Sequence, residues 1–339
     1  MTMRVAGPLM LALSLSLWHI GCRSALLSDP LARADDQAGL YWLDNDRVLF
    51  RGYSREQLGA MKSGTFKRFE RKLSRTLYIA HVQSGAVKQY AVVDADQLCF
   101  SHDAILYSKN GSKWHGTLGA EKEQQNFGPR AFESLSNTRC SYLPAFSGPP
   151  DAKDPARVFY LQARHGNVEI RPTGQLFLWR PAAKEGVHLS GITIADSQNL
   201  SNGEARYSEF KGAYLLYTPG VSGSVSNKGW WLFPDGKTQR VSIPEGPWNK
   251  FSRTNAFFIP IRDGLLVQML RPTDSTYLYL LPSTPNGYAA PTGTYDKPVW
   301  RLDVSPNGCK VAIQTKDGSM PSGSALAIEV LDLCGTWKR

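Results

Sequence analysis

The residues of this chain that could do chemistry are its nucleophiles, carboxylates and imidazoles. Ser101, His102 and Asp103 are consecutive, yet a catalytic triad needs its members to converge in space, and neighbours on an extended chain point to opposite sides. Gly220-Val221-Ser222-Gly223 lacks the spacing of a nucleophile elbow. Asp44-Asn45-Asp46 and Asp94-Ala95-Asp96 pair carboxylates two residues apart. Neither continues into the glycine and distal glutamate that a calcium loop requires, and both sit where Asx turns are expected. His81, His115, His165 and His188 stand singly, and no close Cys or His pair offers zinc spacing. No phosphate-binding glycine loop or dinucleotide fingerprint is present, so no metal or cofactor is expected. The enzyme reading that survives places acid and base carboxylates such as Asp303 or Glu329 in a central channel, acting on envelope glycans or lactones. Trp230-Trp231 puts one ring on each face of a strand, one packed and the other exposed, with sugar stacking as the alternative to core packing.

The five cysteines carry more information. Met1–Arg4 supplies a positive charge, Pro8–Ile20 is an apolar run of 13 residues, and Gly21-Cys22 follows. The run is too short for a bilayer span and has the layout of an export signal. Ile20-Gly21-Cys22 resembles the end of a bacterial lipoprotein lipobox, departing from it at His19, where an aliphatic residue is expected. The resemblance implies acylation at Cys22, a signal over 1–21 and a tether over 22–38. Arg23 in place of aspartate implies transfer to the outer membrane; an ordinary cleaved signal is the alternative. Setting Cys22 aside leaves Cys99, Cys140, Cys309 and Cys334. Cys309 opens one strand-like run and Cys334 closes the next, so a hairpin would bring them into register, leaving Cys99 for Cys140. Such bridges belong to an oxidising periplasm.

The elements that must position these residues are strands. The chain has 339 residues, 42% of them hydrophobic and 20% charged, with 30 Gly and 21 Pro; this is a globular composition, which excludes bulk disorder. From Gly39 onward, apolar or aromatic runs of four to eight residues alternate with Gly, Pro, Asn, Asp and Ser clusters, and a four-run module recurs about every 45 to 50 residues. The last module reads VWRLDVSPNG, CKVAIQTKDG and ALAIEVLDL. It resembles a blade of the TolB-like or WD40-like β-propellers, in which an inner strand ends in a Ser-Pro-Asn-Gly turn, here Ser305-Pro306-Asn307-Gly308. The expectation is an all-β fold: one propeller over 39–339 with six four-stranded blades, or five or seven, and an insertion over Gly119–Thr138. Each sheet would bury its apolar face only against the next.

One segment interrupts the strands. Residues 54–75 hold Arg55, Lys62, Lys67, Arg68, Arg71, Lys72 and Arg75 against Glu56 and Glu70, which is half of the chain's net charge of +10. Phe66, Phe69 and Leu73 recur at helical spacing, predicting a short amphipathic helix over Thr65–Ser74. Two readings follow: a patch docking on anionic headgroups or an acidic partner, or a solvated loop whose aromatics cover the edge of the first blade. Nucleic acid is disfavoured, because an exported chain rarely meets it and the basic residues lack interleaved aromatics. The functional expectation is a non-catalytic envelope lipoprotein that binds an envelope protein through its loops, or an immunity lipoprotein that occludes a secreted toxin.

Overall fold

A computed structural model describes residues 24–27, 29, 32–34, 40–66, 75–93, 98–100, 104–109, 112–117, 123–125, 157–160, 167–180, 183–193, 204–217, 228–249, 255–270, 276–295, 297–316 and 325–334. Two short strands, β1 (Ser24–Leu26) and β2 (Arg33–Ala34), come first. Antiparallel meanders follow. The first has β3 (Leu40–Trp42), β4 (Arg47–Gly52), β5 (Arg75–His81) and β6 (Val87–Val93), with helix α1 (Arg55–Lys62) between β4 and β5. The second contains β7 (Leu98–Phe100), β8 (Ala104–Lys109), β9 (Ser112–Thr117) and β10 (Glu123–Gln125). In the third are β11 (Arg157–Tyr160), β12 (Asn167–Ile170), β13 (Leu176–Trp179) and β14 (Val187–His188). The fourth consists of β15 (Glu204–Ser208), β16 (Ala213–Tyr217), β17 (Lys228–Leu232) and β18 (Thr238–Ser242).

In the fifth, β19 (Asn255–Ile261), β20 (Gly264–Leu270) and β21 (Thr276–Thr284) run in sequence. β22 (Gly287–Tyr288) extends towards β18, and β23 (Gly293–Tyr295) returns along β21 as the outer strand. The sixth holds β24 (Val299–Val304), β25 (Lys310–Lys316) and β26 (Leu326–Asp332), and its fourth strand is β1, paired Ser24 with Leu331 and Leu26 with Glu329. Residues near the start of the chain therefore complete the last sheet. β2 bridges β26 to β4, joining the sixth and first units. The stretch read as a tether over 22–38 thus contains two strands, and Leu27, Ala32 and Ala34 are buried. Three residues of strand and a two-residue bridge carry too little pattern to register in the sequence.

The packing is that of a β-propeller. In the fourth unit, Tyr214, Leu216, Trp230 and Leu232 pack against Val168, Ile170, Leu176 and Leu178 of the third. The alternate residues Ala213, Leu215, Tyr217 and Trp231 pack against Phe258, Leu265, Val267 and Leu281 of the fifth. Because a strand points successive side chains to opposite faces, a sheet covered on both faces reads as a continuous apolar run, as AYLLY does in β16, buried at all five positions. The fifth and sixth units meet through Ile259, Leu266, Leu280, Val311 and Ile313. The sixth and first meet through Val48, Phe50, Tyr78, Ala312, Ile328 and Val330. No such sheet shelters its own apolar surface, so closing the ring protects what single sheets would expose.

Several expectations change in detail. In the third unit β11 and β12 pair antiparallel, Arg157 with Ile170 and Tyr160 with Asn167. The Gly119–Thr138 stretch opens with a strand, β10, that completes the second unit. Both tryptophans of the Trp230-Trp231 pair are buried, 1% and 3% exposed, because each face of β17 meets a neighbouring sheet.

Candidate functional site

Among the described residues, the turns that connect the inner strand to the second strand in the first, fourth, fifth and sixth units gather at one end of the ring, and the sixth unit's turn is their hub. Ser305 Oγ accepts from the Lys310 backbone N–H at 2.9 Å and donates to Asn307 Oδ1 at 2.8 Å, and the Cys309 N–H also donates to that oxygen at 3.0 Å. Gly308 ends the turn at φ 74°, where a Cβ would lie 2.7 Å from the Arg262 nitrogen and 2.6 Å from the Phe210 ring. Only glycine fits there. Neighbouring turns bind this hub directly: Arg262 Nε donates to the Asn307 carbonyl at 2.8 Å, and the Asn307 N–H donates to Asn45 Oδ1 at 2.9 Å. Cys309 and Cys334 form a disulfide at the same end, with Cα atoms 5.0 Å apart, as the hairpin register required.

The carboxylates singled out for acid–base work are spent on joining sheets. Asp303 Oδ2 accepts from the Trp42 backbone N–H at 2.9 Å, and the Asp303 carbonyl accepts from Trp42 Nε1 at 2.9 Å, tying the inner strand of the sixth unit to that of the first. Glu329, 2% exposed in the middle of β26, accepts from Tyr295 Oη at 2.7 Å and from Lys297 Nζ at 3.1 Å, both contributed by the fifth unit and the segment leaving it. Sequence reasoning missed Glu169, which is buried in β12 and accepts from Trp179 Nε1 at 2.6 Å, with Arg171 Nε 3.6 Å away. The available signal was a lone acid inside the apolar run NVEI. A buried carboxylate must be paired, and these are paired with donors on adjacent strands or sheets.

The Asp44-Asn45-Asp46 pair is a turn. Asp44 Oδ1 accepts from the backbone N–H groups of Asp46 and Arg47 at 2.9 and 2.8 Å, and Oδ2 takes the Arg47 guanidinium at 2.6 Å. Burial opposes its ionisation, but these donors together outweigh it and hold its pKa below the usual carboxylate value. Asp46 Oδ1 accepts from the Gln83 N–H at 2.9 Å, and its Oδ2 lies 3.7 Å from His81 Nδ1. His188 tilts against Phe177, with ring centres 5.2 Å apart. His115 is a β9 residue opposite Gln124. Among the described residues, no group of three or more metal-ligating side chains assembles. Asp94, Asp96, Ser101, His102, Asp103 and His165 lie outside the described residues.

At the opposite end of the ring stands α1. The helix forms over 55–62 because Ser54 and Gln57 make a capping box: the Gln57 N–H donates to Ser54 Oγ at 3.2 Å and the Ser54 N–H to Gln57 Oε1 at 2.8 Å. Leu58 and Met61, three residues apart, bury one face against Tyr53 and against Ala325 of the sixth unit. Lys62 lies in the last turn, where its charge complements the helix dipole. Gly64, at φ 73°, ends the helix. The helix α1 precedes the segment Thr65–Ser74 expected to be helical, and most of that segment, 67–74, lies outside the described residues. Phe66 stands edge-on to Tyr53 with ring centres 6.0 Å apart; Phe69 lies outside the described residues.

Of the basic residues, Arg55 and Lys62 are exposed and Arg75 opens β5. Lys67, Arg68, Arg71 and Lys72 lie outside the described residues, as do Cys22 and Cys140; Cys99 lies in β7 opposite Leu106. Trp300, 49% exposed, was not anticipated. It begins the inner strand β24 at the end where α1 stands, and a register shift between Val299 and Arg301 isolates it from the ladder. A bulge of this kind re-aims a side chain. Among the described residues, no helix is long and apolar enough to cross a membrane.

No family model and no curated protein matches this chain. Solved structures similar to it include TolB from Acinetobacter baumannii, at 11% identity over 87% of this chain and 79% of that one, with a TM-score of 0.34. The β-propeller domain of the Trilobed protease from Pyrococcus furiosus matches at 10% identity over 85% and 78%, TM-score 0.32. The AfRom2 CNH domain matches at 10% over 91% and 99%, TM-score 0.44. The propeller assignment stands on the strand pairing and inter-sheet packing above, not on these scores.

Proposed function

We propose that this protein is a non-catalytic scaffold of the bacterial envelope, held in the periplasm by a lipid on Cys22 and binding a protein partner through the loops at the α1 end of the ring. The observation that carries the reading is the mounting of α1. Its apolar face is locked over the junction of the sixth and first sheets, so Arg55 and Lys62 face solvent from a fixed platform, at the head of a segment whose seven basic residues outnumber two acidic ones. A rigid element lowers the entropy lost on docking. The engagement of Asp303 and Glu329 in inter-sheet ties supports binding over acid–base chemistry. Tethering rests on the signal-like residues 8–20 and on Cys22; three acyl chains on a cysteine exceed what stable anchoring requires.

A photo-crosslinking residue at position 62, activated in intact cells, should yield one dominant protein adduct. No protein adduct, together with turnover of a cell-wall glycan by the purified chain, would replace the scaffold with an enzyme. Cys22→Ala should move the protein from the lipid fraction to the soluble periplasm; if it stays with lipid, the anchor lies elsewhere.

A further inference from the structure

Strand pairing fixes where the chain enters the ring relative to α1, and this bears on what α1 can touch. Ser24 pairs with Leu331, at the end of β26 that carries the Cys309–Cys334 disulfide. The other end of β26, Leu326, pairs with Ala34, which in turn pairs with Gly52, immediately before α1. From Leu331 to Leu326 is five residues (331 − 326), or about 17 Å along the sheet. Cys22 precedes Ser24 by two residues, a reach of about 7 Å. Exposed charges attract each other only within a screening length of about 8 to 10 Å.

Taking Cys22 as the membrane anchor, as proposed above, we infer that the α1 end of the propeller faces away from the bilayer that holds the protein, and that its basic surface receives an acidic protein rather than lipid headgroups. On the described surface of that end, Arg55, Lys62, Lys297 and Lys316 are exposed against Glu56 and Glu245, and Trp300 adds an exposed aromatic. Basic residues at the same end as an exposed tryptophan suit a partner that presents carboxylates together with an apolar side chain. The disulfide end also carries exposed basic residues, among them Lys88, Arg180, Lys184, Lys211 and Arg262, while Lys237 pairs with Asp235 at 2.8 Å and Arg47 with Asp44 at 2.6 Å. Charge alone therefore does not select the end that meets anionic lipid; the anchor does, and it holds the basic residues of the α1 end more than a screening length from the bilayer.

Two measurements on the full lipidated chain test this. In vesicles of phosphatidylethanolamine and phosphatidylglycerol, a fluorophore on Lys62→Cys should be quenched several-fold less by spin-labelled lipid than one on Asp263→Cys, an exposed turn residue at the disulfide end. Equal or stronger quenching at 62 would overturn the orientation and assign the basic surface to headgroups. With poly-glutamate as the acidic probe, reversing Arg55, Lys62 and Lys316 to glutamate should weaken binding at least five-fold more than reversing Lys88, Lys211 and Lys237 at the other end. Equal losses would mean general attraction to a cationic protein and would overturn the docking surface. A chain that does not float with the vesicles removes the anchor itself. That result is distinguishable from a floating chain with its label quenched at 62.

Discussion

Asp303 illustrates how one side chain can serve closure instead of chemistry. Its carboxylate is aimed at the Trp42 N–H and its carbonyl at the Trp42 indole, so the same residue grips the first blade twice. Asp303→Ala leaves that N–H without its acceptor and should cost roughly 2 kcal/mol, the usual range for a lost bond to a charged group; chemical denaturation measures it. Asp303→Asn, which keeps an acceptor oxygen, should cost less. Trp230→Ala and Trp231→Ala each empty a different inter-blade core and should each cost about 3 to 5 kcal/mol. Had the second ring been solvent-facing, the two variants would differ sharply. Asp44 predicts a pH dependence. Its folded pKa lies below the unfolded value, so its stabilisation is complete above the ordinary carboxylate pKa and is lost as pH falls through the lowered one. Asp44→Asn should therefore flatten the acid limb of the stability curve while changing least near its floor.

At the scale of elements, α1 is the part most open to perturbation, because eight residues are too few to hold a helix without a cap and a buried face. Ser54→Ala removes half of the capping box and should destabilise the helix by about 1 kcal/mol, seen as faster amide exchange over 55–62 with little change in global melting. If the ring melts earlier by several degrees, α1 is part of the cooperative core. This helix also shows what the sequence made legible. Ser54 and Gln57 stand at capping-box spacing, a two-residue signal that the sequence reading did not use, whereas the aromatic repeat at 66, 69 and 73 falls mostly on residues outside the described ones. Strands covered on both faces, such as β16 and β25, were legible as apolar runs between turn residues. β1, β2 and β23 were not, since two or three residues at a sheet edge carry no period and their pairing is set by tertiary position. The anchoring of Glu329 and Asp303 was invisible for the same reason: their donors lie 34, 32 and 261 residues away.

For the whole molecule, the decisive feature is that the chain closes its ring non-covalently through β1 and β2 and braces the same blade covalently through Cys309–Cys334. The disulfide spans 25 residues of sequence, and replacing both cysteines with serine should cost roughly 3 kcal/mol on a chain-entropy account. Removing β1 acts differently. Without residues 24–27, β26 becomes a sheet edge with free backbone groups opposite Glu329, Val330 and Leu331, and Leu27 leaves the core that seals the last blade to the first. Such an edge is a template for another strand. The truncated chain should therefore self-associate in sedimentation experiments at concentrations where the parent is monomeric, and a synthetic peptide carrying residues 22–34 should reverse it. A truncated chain that remains monomeric with unchanged stability would show that three strands suffice for the last blade and that the N-terminal clasp is dispensable.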